Sequence, residues 1–148
     1  MSSSSAPLLL TIARGIALGT AHEAALKLRE LVRLPTQPFS AADFRHGSIA
    51  LVGGGFPVLL IMPTGAAYDD MTALARELSG ATRVYAISDD PAAAANARIL
   101  LPMAAVPEWL SPPVAILPAQ RLALAIAAAR GLDPDNPRGL HDKVVRTR

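Results

Sequence analysis

The sequence contains no cysteine, which excludes a disulfide scaffold, a thiolate nucleophile and a Cys-based zinc site. It also has little charge. Asp, Glu, Lys and Arg make up 18% of its 148 residues, and 14 basic against 12 acidic side chains leave a formal charge of +2. A charge this small and scattered gives no electrostatic footprint for nucleic acid; the pI near 9.5 reflects dispersed arginines. Positive charge is missing ahead of the first apolar run. The first six residues are polar and uncharged, and Arg14 follows the apolar run 7–13 instead of preceding it, the reverse of a signal peptide. The apolar stretch 112–129 is broken by Pro118 and carries Gln120 and Arg121 at its middle. A charge at the centre of a bilayer costs about 3 kcal/mol, so no membrane span is expected. The chain reads as soluble and cytoplasmic, with neither nucleic acid nor membrane as a partner.

Lysine is nearly absent. Twelve of the 14 basic residues are Arg, Lys27 and Lys143 are the exceptions, and alanine occurs 29 times. Such a bias looks like genome composition, yet it draws attention to the positions that remain Lys. An ammonium can lose its proton and form a Schiff base, whereas a guanidinium stays charged.

Hydrophobic residues make up 51% of the chain, and a chain of this length buries roughly 68–70% of its unfolded surface, enough for one core. Neither a repeat nor a linker interrupts it, so residues 1–148 form a single domain with a polar tail over 133–148. The run 8–13 predicts a strand buried on both faces. Residues 16–34 carry apolar side chains at helical spacing and stop before Pro35. A loop is expected over 35–40, a helical turn over 41–45, and a short apolar segment over 49–52 that Gly53-Gly54-Gly55 ends. Further strands are predicted at 56–62, 83–88 and 98–101, with helices at 68–78 and 113–130 and a helical turn at 92–97. Strands alternating with helices predict an α/β fold, a doubly wound parallel sheet flanked by helices. Such sheets bind ligands at the carboxyl ends of their strands, which points to 14–19, 63–66 and 88–91.

Three constellations bear on chemistry. The triple glycine lacks a Walker lysine and precedes a strand, so it reads as a turn and not a phosphate loop. Glu23, Lys27 and Glu30 share one face of the first helix at i, i+4 and i, i+3 spacings. That pattern is either a solvent-facing ion-pair ladder or a carboxylate beside an ammonium at the mouth of the sheet. His46, before Gly47, is either a surface residue or a proton-transfer group. Neither a second His nor a carboxylate stands at metal-ligand spacing, so no metal site is expected. His22 and His141 suggest no partner.

The ordered set of Ala24-Ala-Leu-Lys-Leu-Arg-Glu30 and, sixteen positions after Glu30, Arg45-His46-Gly47 resembles the sugar isomerase (SIS) domain. It is most similar to the C-terminal SIS domain of the amino-sugar phosphate synthases and to SIS-type deaminases, whose pattern is A-L-K-L-K-E, a loop, then E-L-K-H-G-P. Arg14-Gly15 after the first strand, the strand ending at Pro63, and the ending Arg130-Gly-Leu-Asp…Lys143 fit as well. The resemblance implies a flavodoxin-like three-layer sandwich that binds a phosphosugar and moves a proton between its C1 and C2. It implies Glu30 as the acid/base, His46 as the ring-opening group reaching a neighbouring subunit, and Lys143 as the Schiff-base amine. Lys27, Arg14 and Gly15 would then line the substrate, and no cofactor is called for. Ser48 replaces the usual proline after His-Gly, Asp43 replaces the usual Glu, and the tail before Lys143 is one residue longer. The phosphate-holding Ser/Thr loop of the companion SIS domain is absent. The implied unit is therefore half of a two-SIS site, completed by a homodimer or a companion SIS domain. It is either an isomerase, deaminase or aminotransferase half or a non-catalytic phosphosugar-binding module.

Overall fold

The computed structural model describes residues 8–136. Five parallel strands form one sheet: β1 (Leu9–Ala13), β2 (Thr36–Ser40), β3 (Val58–Ile61), β4 (Val84–Ser88) and β5 (Ile99–Pro102), in the order β2-β1-β3-β4-β5. Four helices flank it, α1 (Leu18–Val32), α2 (Ala41–Arg45), α3 (Tyr68–Ser79) and α4 (Ser111–Ala129). This is the doubly wound architecture expected from the alternation of strands and helices, and the direction in which successive strands are added to the sheet reverses between β1 and β3. β1 is buried at every position because helices cover both faces of the sheet. On one face Leu10, Ile12, Val58 and Leu60 pack with Phe44 of α2 and Met71, Leu74 and Leu78 of α3. On the other, Leu59, Ile61 and Ile87 meet α1 and α4.

Two segments differ from their expectations. Residues 36–40 pair in parallel with β1, Leu9 opposite Thr36 through Ala13 opposite Ser40, where a loop was expected. Pro38 disguises this strand, and it is tolerated because β2 lies at the sheet edge, where one side of its backbone has no partner strand. Residues 48–54 form an extended 3-10 turn. The triple glycine is a turn, as expected, with Gly55 closing it at φ 74°.

α4 joins α1 through very small side chains. Ala115, Ala119, Ala123 and Ala127, each 1% exposed or less, recur every fourth residue and so form one stripe. Ala115, Ala119 and Ala123 pack with Ala21, Ala24 and Leu28 of α1. With the turn before it, residues 108–129 are long and apolar enough to cross a membrane by length and composition. Here the alanine stripe is one wall of the domain core. Two side-chain bonds close the helix pair at its ends: Thr20 Oγ1 donates to Pro112 O at 3.1 Å, and Arg130 Nη1 donates to Val32 O at 2.9 Å.

A seam of alanines leaves no room for larger residues. Ala119→Leu is expected to lower stability by about 1–3 kcal/mol through overpacking, whereas Leu124→Ala, on the half-exposed outer face of α4, changes it by less than about 0.5 kcal/mol. Urea denaturation of the two variants checks this; equal effects would mean that the helices are not in close contact.

Candidate functional site

The carboxyl edge of the sheet, where the fold is expected to bind ligands, is occupied by the chain's own side chains. Arg14 and Gly15 leave β1 beside the reversal point, Gly15 at φ 62°. Arg14 Nη1 donates to Asp70 Oδ2 at 2.7 Å. Arg45, at the end of α2, donates through Nη1 to both Asp70 carboxylate oxygens at 2.9 and 3.1 Å, and through Nη2 to the Asp70 carbonyl at 3.1 Å. Burial pushes the Asp70 carboxyl up, but the hydrogen bonds from Arg14 and Arg45 outweigh it and hold the group below its ordinary value.

Next to this clamp, the β3–α3 loop holds two further carboxylates. Thr64 donates its backbone N–H and its hydroxyl to Asp89 at 2.7 and 2.6 Å, and Ala66 N–H donates to Glu108 Oε1 at 2.9 Å. Gly65, at φ 146°, lies so close to the Glu108 side chain that a Cβ there would collide with it. Donors that form an anion cradle in other sheets of this type are thus already bonded to Asp89 and Glu108. Tyr68 completes the edge by donating to Asp90 Oδ2 at 2.7 Å; burial and that carboxylate push its phenol up to about 12.

The expected site residues fall into two groups. His46 caps α2 and is exposed at the carboxyl edge, two residues beyond buried Phe44. Glu30 is elsewhere. A helix that follows a strand in a parallel sheet runs back along it, so the twelve residues from Leu18 to Glu30 carry Glu30 about 18 Å away from that edge. The ladder of Glu23, Lys27 and Glu30 therefore does not sit at the mouth of the sheet, and His46 and Glu30 of one chain do not meet. Lys143 and His141 lie outside the described residues.

Around Glu30 the geometry is local. Lys27 Nζ lies 3.3 Å from Glu30 Oε2 and 3.5 Å from Glu23 Oε1. Burial pulls the ammonium down, but the hydrogen bond and charge of Glu30, with the charge of Glu23, outweigh it and hold Lys27 above its ordinary value. Lys27 thus stays an ammonium at neutral pH and suits orienting a carboxylate, not attacking a carbonyl. Beside it a polar cavity of about 320 Å³ opens between the ends of α1 and α4, lined by Glu30, Arg33, Asp133 and Asn136 among others. Arg33, Asp133 and Asn136 were not singled out as site residues. Asn136 reaches the cavity only because α4 is fastened to α1, which no local pattern announces.

The Asp70 clamp is testable by pH. Because its folded pKa is depressed, its contribution is complete above the ordinary carboxylate value of 3.8 and is lost as pH falls through the lower folded value. Asp70→Asn is expected to cost about 1 kcal/mol at pH 7, discounted for its partial exposure, and nothing in strong acid. Urea denaturation at both pH values measures the gap; a gap that persists in acid would assign the loss to packing.

Comparison with known proteins places this geometry. The SIS domain family profile matches residues 4–130. A glutamine–fructose-6-phosphate aminotransferase (isomerizing) of Thermococcus kodakarensis is 38% identical over 135 residues, covering 90% of this chain and 22% of that protein. The C-terminal domain of glucosamine-fructose-6-phosphate aminotransferase from Francisella tularensis superimposes with a TM-score of 0.77 at 24% identity, over 88% of this chain and 38% of that one. Tagatose-6-phosphate ketose/aldose isomerase from Escherichia coli gives 0.69 at 25%, over 90% and 39%. The chain thus spans about a fifth of the length of that curated relative. With the fold, the order of its motifs and the match along nearly the whole chain in agreement, the protein belongs to the SIS domain family.

Proposed function

We propose that the chain supplies the Glu30 half of a phosphosugar site that interconverts aldose and ketose, with fructose 6-phosphate and glucosamine 6-phosphate as the substrate class. The observation that carries this is the braced carboxylate of Glu30 opening on a polar cavity beside Lys27. Glu30 takes the proton from the carbon next to the carbonyl and returns it to the neighbouring carbon, exchanging C1 and C2 oxidation states without an external oxidant. Lys27 holds the carboxylate in place. The tail continues from Asn136, which lines the cavity, and seven residues of chain span at most about 25 Å. Lys143, outside the described residues, is the amine that this reading assigns to an imine with the sugar carbonyl. His46, about the length of α1 away, serves the site of a neighbouring copy or companion SIS domain, and Arg14 and Gly15 accompany it on that surface. A cytoplasmic setting belongs to the same reading.

The occupied β3–α3 loop favours a second reading, a non-catalytic phosphosugar-binding module that regulates a partner. The two separate on proton transfer. At high protein concentration, where copies associate, the chain is expected to catalyse at most slow solvent-deuterium exchange at C1 of fructose 6-phosphate. Glu30→Gln keeps the shape and the melting temperature, and lowers exchange by about 10²–10⁴-fold, the range for a lost general base. Equal exchange in the two proteins would leave Glu30 as an ion-pair partner of Lys27 and nothing more.

The same reading requires association. Light scattering of the concentrated chain is expected to show a dimer or larger species; a clean monomer would count against His46 acting between copies.

A further inference from the structure

The exposed His46 ring has no hydrogen-bond or ion-pair partner among the described residues, so its place is set by the backbone that carries it. That backbone has little support of its own. α2 has five residues, well below the length at which an isolated helix holds in water, and Gly47 follows His46 at φ 153°, with no side chain to restrain it. The restraint on His46 therefore comes from the residues before it. Ser40 accepts from Asp43 N–H at 3.1 Å and caps the start of α2, and Phe44 is buried with Met71 in the core of that face. The end of α2 depends on Arg45. Its Nη1 reaches the Asp70 carboxylate and its Nη2 the Asp70 main-chain carbonyl, so the guanidinium is held in two directions and cannot swing about one bond. Asp70 is a fixed post, because the residues that follow it on α3, Met71 and Leu74, are in the core. Arg14 holds the same carboxylate from the β1 side. Glu77, the other acid near Arg45, lies 3.8 Å from Nε and is half-exposed.

We infer that Asp70 is a positioning residue: through Arg45 it sets where His46 stands at the carboxyl edge of the sheet. This rests on the reading that His46 serves a neighbouring site. One carboxylate thus ties together the two segments that would face that site, Arg14-Gly15 after β1 and Arg45-His46 after α2. An ion pair that served stability alone would need only the two charges; a fork closed on both a carboxylate and a carbonyl adds direction. Direction matters for His46, since a displacement of about 1 Å in a reacting group can cost about 10²-fold in rate.

The test uses the full chain, isotopically labelled for NMR and free of ligand. In the wild type the Arg45, His46 and Gly47 amides are expected to be rigid, with order parameters of about 0.85; in Asp70→Asn and in Arg45→Lys they fall to about 0.6 or below. The Leu74 and Leu78 amides of α3 keep their wild-type values, which shows that the fold is intact. Arg45→Lys retains the charge and loses the fork, so it separates direction from electrostatics. Glu77→Gln removes only the distant partner and leaves the His46 segment rigid. A second measurement follows exchange at C1 of fructose 6-phosphate in the concentrated chain, where Asp70→Asn lowers the maximal rate at least tenfold with KM unchanged, because Asp70 does not meet the substrate. Rigid 45–47 amides in both Asp70→Asn and Arg45→Lys would overturn the inference, and this holds whether or not the chain turns over alone. A loosened His46 segment with undiminished exchange upholds Asp70 as its anchor and removes His46 from the reaction.

Discussion

The close approach of α1 and α4 is the interaction on which the rest of the structure depends. Alanine at every fourth residue of α4 lets the two helices meet with almost no side chain between them. That leaves the larger residues of α1 to cover the sheet and its charged face to remain outside. The bonds from Thr20 to Pro112 and from Arg130 to Val32 hold the helices at both ends. The second of these also brings 131–136 alongside the last turn of α1 and so creates the cavity beside Glu30. A change in this seam is therefore felt at a polar site that contains none of its alanines.

Electrostatics divides the molecule along the strand axis. At the carboxyl edge, Asp70, Asp89, Asp90 and Glu108 satisfy the donors that a ligand anion would otherwise use. All four are bonded at least once to backbone N–H or to a guanidinium, so the edge is stable and self-contained. Toward the opposite edge the balance differs. Glu30 shares one ammonium with Glu23, and Arg33 is unpaired among the described residues. This division places Glu30 and His46 about the length of α1 apart, which is why the proposed reaction calls on a second copy or companion domain.

Much of this was open to reading along the chain. The runs 8–13 and 56–62 announce doubly buried strands because both faces of each demand apolar side chains. The spacing of Ala21, Ala25 and Leu28 places Glu23, Lys27 and Glu30 on the opposite face of one helix, and a helical period is a local property. The order of Glu30, His46 and their flanking residues identified the family for the same reason, since motifs are stretches of chain.

What only the tertiary structure decided involves residues far apart in sequence. β2 looks like a loop because Pro38 removes a donor, and only its position at the sheet edge makes that harmless. The Thr64 donors are taken by a carboxylate 25 residues later, which no window of sequence contains. Whether Glu30 lies at the mouth of the sheet or toward its far edge follows from the direction in which α1 returns along β1. The left-handed backbone of Arg33 is a consequence of ending α1 where β2 must begin. Periodicity records which side of an element faces inward; it carries no record of what meets that side, because partners are chosen by packing across the whole chain.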